Sequence, residues 1–152
     1  MYHSVVARKT RGMFERLNDA DASAFIAGVH DDVVFTYPGK HALGGTMHGR
    51  EAIAEWFQRF FRFFPGIKWT IKDIVVEGKP WGKTVVSAEW AVHCVLENGH
   101  VFDNEGLHVI ELRGTKASAV RVYLDTQRSA AALKSLAESG VAEARAPQET
   151  AV

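Results

Sequence analysis

The chain has 152 residues, 47% of them hydrophobic and 24% charged, with 18 Lys plus Arg balanced by 18 Asp plus Glu. One ordinary domain with a real core is expected at this length, and the composition excludes a disordered chain. The zero net charge offers no global field to draw in nucleic acid or a membrane surface. A single cysteine, Cys94, excludes an intramolecular disulfide and a thiolate zinc cluster. No apolar run approaches the roughly 18 residues of a membrane span, and Met1 to Gly12 does not read as a secretion signal. A cytoplasmic location is therefore expected.

Helical spacing of Val6, Met13, Phe14, Leu17, Phe25, Ile26 and Val29 predicts helix from Ser4 to His30, broken at Asn18-Asp19-Ala20-Asp21. Asp21 or Ser23 is expected to cap the second piece. Val33 to Tyr37 reads as a short strand stopped by Pro38-Gly39, and Gly39 to Gly49 as a glycine-rich loop folded over a site. Arg50 to Phe64 is the clearest helix, with Ile53, Trp56, Phe57, Phe60, Phe61 and Phe64 on one stripe. Such a stripe is core more often than ligand contact.

Beyond Gly66 the period becomes two. Strands are predicted at Lys68–Glu77, Thr84–Leu96, Val101–Leu112 and Ala119–Leu124, with a primed Asn98-Gly99 turn between the middle pair. A last helix covers Ser129 to Ser139, with Asp125 or Thr126 as its cap. The domain thus runs over 1–139, and 140–152 is expected to be a frayed tail. Helices first, then a meander of strands, define an α+β class: helices packed in a strongly curved, mostly antiparallel sheet around one pocket.

Three local patterns carry a resemblance. They are Leu17-Asn18-Asp19-Ala20-Asp21 followed by His30 to Phe35, Tyr37 to Gly45 followed by His48-Gly49-Arg50-Glu51-Ala52-Ile53, and Phe102 to Ile110 ending in Tyr123-Leu124-Asp125. In this order the chain, from about residue 8 to 135, resembles the SnoaL-like branch of the nuclear transport factor 2-like superfamily. The resemblance implies a cone-shaped roll and a cofactor-independent cyclase, isomerase or dehydratase working on a hydrophobic, carbonyl-bearing small molecule. A non-catalytic binding or accessory protein and an epoxide hydrolase-like enzyme are the alternatives, since one fold hosts many activities.

The resemblance also shows departures. Ketosteroid isomerases carry a carboxylate base where this chain has Tyr37, an oxyanion-binding acid at His108, and a tyrosine near Met13. The aspartate of the cyclases and epoxide hydrolases aligns with Val122, and a slip of one or three residues would bring in Tyr123 or Asp125. Steroid isomerisation by that mechanism is thereby disfavoured.

Alternation places the inner face. Trp90, Val92 and Cys94, then Asn104, Gly106 and His108, then Val120 and Val122 share it, so Tyr37, Trp56, Phe60, Trp69, Trp90, Asn104, His108 and Val122 are expected to line an aromatic pocket. His108, with a pKa near neutrality, and Tyr37 are the catalytic candidates. Asn104, Trp56, Phe60, Trp69, Trp90 and Val122 are the substrate contacts. Each has a bland reading beside it: a core histidine, a core phenol, a bracing amide. His41 and Asp125 come behind these, the first read as a surface residue and the second as a helix cap. His3, His30 and His100 lie at turns or the terminus, so no metal and no cofactor is expected. Apolar Leu107, Val109 and Val95 on the outer sheet face predict a homodimer.

Overall fold

The computed structural model describes residues 1–147. Helix α1 (Tyr2–Leu17) buries Phe14 and Leu17, and the chain then turns at Asn18. Asn18 clamps that corner to the sheet: its Nδ2 donates to the Trp69 carbonyl at 3.2 Å and its Oδ1 accepts from the Trp69 amide at 2.6 Å. Helix α2 (Ser23–Ala27) is one short turn, and Asp21 Oδ1 accepts from the Ser23 amide at 2.9 Å. The predicted helix does not reach His30. Gly28 ends it, and the β-branched run from Val29 forms strand β1 (Val29–Tyr37).

The glycine-rich segment is not wholly loop. Its last residues form strand β2 (Gly45–His48), which pairs antiparallel with β1 from Val34↔His48 to Tyr37↔Gly45. Helix α3 (Gly49–Phe63) follows and buries Ile53, Trp56, Phe57, Phe60 and Phe63. Strands β3 (Lys68–Gly78), β4 (Lys83–Val95), β5 (Val101–Arg113) and β6 (Lys116–Leu124) form the meander, and helix α4 (Thr126–Glu138) closes the core.

The sheet order is β2-β1-β6-β5-β4-β3, antiparallel except where β1 runs parallel to β6. The fold is therefore the expected α+β architecture, with a curved, unclosed mixed sheet. Inner-face rungs cross it in register. One is Trp69↔Val92↔Asn104; the next is Ile71↔Trp90↔Gly106↔Leu124; then come Ile74↔Ala88↔His108↔Val122 and Val76↔Val86↔Ile110↔Val120.

The β4–β5 turn is not the two-residue primed type. The Gly99 amide donates to the Leu96 carbonyl at 2.8 Å and the Leu96 amide to the His100 carbonyl at 2.9 Å. Only Gly99 of this turn has positive φ, at 83°, so Asn98 keeps an ordinary conformation and uses its Oδ1 to accept from the His100 amide. That is the longer hairpin loop with a left-handed glycine at its end.

Within the segment assigned to a tail, Ala142–Ala144 forms a 3-10 turn, Ala144 is buried, and Arg62 pairs with Glu143 at 3.1 Å. Residues 148–152 lie outside the described residues.

Candidate functional site

The His108 rung carries the chemistry. His108 projects inward from the middle of β5, between Ala88 of β4 and Val122 of β6. One rung away, Trp90 lies over Gly106, its partner across the ladder. A Cβ on Gly106 would stand 2.6 Å from the indole ring and 2.6 Å from the Tyr123 carbonyl. Glycine here is what lets the indole cross the strand and reach His108. The Trp90 Nε1–H donates to His108 Nδ1 at 2.8 Å. The edge of Phe14 closes the other side, with ring centroids 5.1 Å apart.

This geometry assigns the tautomer. Indole nitrogen only donates, so Nδ1 must hold a lone pair and the ring proton sits on Nε2. Among the described residues Nε2 makes no hydrogen bond, and the atom is not fully shut off from the surface. Burial pushes the His108 pKa down to about 3. The expectation of a pKa near neutrality is thus corrected: an apolar site without a carboxylate partner disfavours the imidazolium. His108 is a fixed neutral donor, not an imidazole poised to take up a proton.

The expected aromatic pocket is present, and it is small. Beside His108 the cavity measures about 30 Å³, enough for a water molecule and little else. Tyr37, Trp56, Phe60, Trp69, Trp90 and His108 do line it. They fill it as well, with Trp56 stacked on Phe60 at 5.0 Å and Phe60 within 5.6 Å of Trp69. Val122 is buried on the inner face but does not line the cavity.

Asn104 lies elsewhere. Its Nδ2 donates to the Asp125 carbonyl at 2.9 Å and to Ser129 Oγ at 3.3 Å, while Oδ1 accepts from the Glu105 amide. The side chain fastens α4 to β5. Tyr37 is buried with its phenol toward Ser129, and burial raises its pKa well above the ordinary phenol value. It remains protonated and cannot serve as a base at neutral pH.

Asp125 caps α4: its Oδ1 accepts from the Gln127 amide at 3.0 Å and the Arg128 amide at 3.3 Å. Asp125→Ala is expected to cost about 1 kcal/mol in urea unfolding while leaving the His108 resonances in place. A larger change at His108 than at α4 would show that Asp125 reaches the cluster. Tyr123, the other slip candidate, is 53% exposed.

His41 is not a surface residue. It is 4% exposed, its ring packs on Tyr37 at 6.0 Å, and its Nδ1 accepts from the Leu43 amide at 3.2 Å. Its Nε2 is buried without a hydrogen-bond partner, and burial lowers the His41 pKa. The loop is drawn inward because the Leu43 carbonyl accepts from Trp56 Nε1 at 2.8 Å and Leu43 is buried beneath it. His48 is exposed at the end of β2. Among the described residues no three His, Cys, Asp or Glu side chains converge as a metal set would.

Sequence reasoning missed Phe14, having placed the first-helix contact at Met13, and it missed Ser129. The bulky apolar pair Met13-Phe14 was visible, but which member faces the sheet depends on a helical phase that only packing fixes. A larger opening of about 610 Å³ lies apart from this cluster, between α1 and the β5–β6 hairpin.

The SnoaL-like domain model matches residues 10–120, and the chain belongs to that family. Its fold is similar to that of Bal32a, from a soil-derived mobile gene cassette: TM-score 0.71 and 18% identity over 85% of this chain and 96% of the other. A candidate polyketide cyclase from Xanthomonas campestris pv. campestris gives TM-score 0.67 and 22% identity over 85% and 96%. IdmH from Streptomyces antibioticus, also a candidate polyketide cyclase, gives 0.64 and 20% over 85% and 98%. Among curated proteins the chain finds no match.

Proposed function

We propose that this protein is a cofactor-independent enzyme of the cyclase, isomerase or dehydratase type, acting on a hydrophobic, carbonyl-bearing small molecule. The reading rests on one observation, the 2.8 Å Trp90–His108 hydrogen bond that leaves the Nε2–H as an unpartnered donor beside the aromatic cavity. A neutral imidazole N–H polarises a carbonyl and stabilises the oxyanion that develops on it, and a water-poor surround strengthens that effect.

Among the described residues no Asp or Glu lines this cavity, so the site offers a donor without a carboxylate base. Among the three reaction types this favours ring closure of a substrate already acidic enough to enolise in water. The likeness to candidate polyketide cyclases points the same way. Because the cavity is about 30 Å³, a substrate enters only when its aromatic lining gives way. The same closed, base-free cavity favours a second reading, a non-catalytic small-molecule-binding protein.

The protein is further proposed to act in the cytoplasm as a homodimer. Val95, Val101 and Tyr123, each more than half exposed on the outer sheet face, are the surface a second copy would cover.

The test is titration with the aromatic ketone 2-acetonaphthone, followed at the His108 Nε2–H proton resonance. The expected result is a saturable shift of that resonance while the Trp90 indole N–H remains bonded. A His108 signal unmoved while the ketone binds would overturn the donor role.

A further inference from the structure

We propose that the opening between α1 and the β5–β6 hairpin is a second binding site, taking an amphipathic organic anion: an apolar chain or ring system that bears one carboxylate. Its volume of about 610 Å³ falls within the range of organic-ligand pockets, roughly twenty times the space beside His108. The reason for the opening is local. Helix α1 rests mainly on β3, and the β5–β6 hairpin lies across the opening from it. The inner-face side chains Ile110, Leu112 and Val120 form its floor, with Ile110 and Val120 themselves buried, and Val5, Val6 and Met13 form the facing wall. Val5 is 41% exposed, an apolar residue at the edge of α1 that faces the opening and not the core.

Charge selects the occupant. Among the described residues Lys9 and Arg16 are the charged residues lining the opening, and no Asp or Glu lines it. They lie seven residues apart on α1, two turns along one helical face and so about 10.5 Å along the axis. Lys9 has no ion-pair partner among the described residues, and Arg16 acts on Asp21, which lies outside the lining. An apolar floor with two cations on one rim holds an apolar body and a carboxylate head together. A neutral molecule leaves the cations unused, and an organic cation is repelled by them.

The site is separate from the His108 cluster. Ile110 and Val120 stand one rung beyond His108 and Val122 on the same two strands, and the Phe14 ring packs against the imidazole. His108 does not line the opening. The inference is therefore independent of the proposed chemistry there.

Decanoate and 1-decanol are the probes, titrated separately into the intact protein and followed at the methyl resonances of Ile110, Leu112 and Val120. Decanoate is expected to shift those methyls saturably and to bind at least about tenfold more tightly than decanol. Lys9→Glu with Arg16→Glu, both on exposed positions of α1, should remove that advantage and leave decanol binding unchanged. Equal affinities for the two probes, an advantage that survives the double variant, or no methyl shift would each overturn the proposal. So would decanoate shifts confined to His108 and Trp90, which would assign the anion to the inner cluster. A failure of the ketone to move His108 has no bearing on these methyls.

Discussion

Replacing Trp90 by alanine is expected to lower stability by about 3–5 kcal/mol, the usual loss for a fully packed aromatic side chain. Trp90 is 3% exposed and spans the gap that Gly106 leaves open, so its removal makes a hole that the neighbouring strands cannot close. The loss has a second part, because His108 Nδ1 would remain buried without its donor. Trp90→Phe separates the two. It retains most of the packing, loses the N–H, and should cost about 1–3 kcal/mol. Urea unfolding of the two variants measures both values. Near wild-type stability for Trp90→Ala would mean that the indole borders an adaptable ligand space and is not part of the packed core.

The second large effect is acid destabilisation. His108 has a pKa of about 3 in the fold, against 6.5 for a free imidazole. Between these values the unfolded chain carries a proton that the folded chain refuses, so folding becomes less favourable as pH falls. The contribution is complete above pH 6.5 and is lost progressively down to about pH 3, at about 1.4 kcal/mol per pH unit. His41, whose pKa burial also lowers, adds a term of the same sign. Urea midpoints collected at about pH 7, 5 and 4 for wild type and His108→Phe provide the measurement. The variant should lose stability less steeply by close to one proton's worth. Identical slopes would show that His108 is not held neutral by the fold.

Much of this architecture was legible because the middle strands bury one face. Val86, Ala88, Trp90 and Val92 alternate with partly or fully exposed residues, and that period of two fixes which way His108 points. The aromatic stripe of α3 was equally readable. Strand β2 was not, since Gly-Thr-Met-His at a sheet edge has no buried face to impose alternation. The inward turn of His41 depends on the Trp56–Leu43 hydrogen bond, a contact thirteen residues long that no local pattern announces.

The size of the pocket was not legible, for a different reason. Sequence shows which rings face one another, but whether Trp56, Phe60 and Trp69 leave space between them depends on rotamers and crossing angles. The same holds for the pairing of His108 with Trp90. Both were placed on the inner face, yet only the absence of a side chain at Gly106 brings indole and imidazole to 2.8 Å.

The central claim is that Trp90 locks His108 as a neutral donor with its proton on Nε2. Long-range proton–nitrogen correlation spectra of the His108 imidazole, recorded from about pH 5 to about pH 8, test it most directly. The account predicts one unchanging pattern across that range, with Nδ1 bare and Nε2 protonated. A titration midpoint near 6.5, or a proton found on Nδ1, would contradict it.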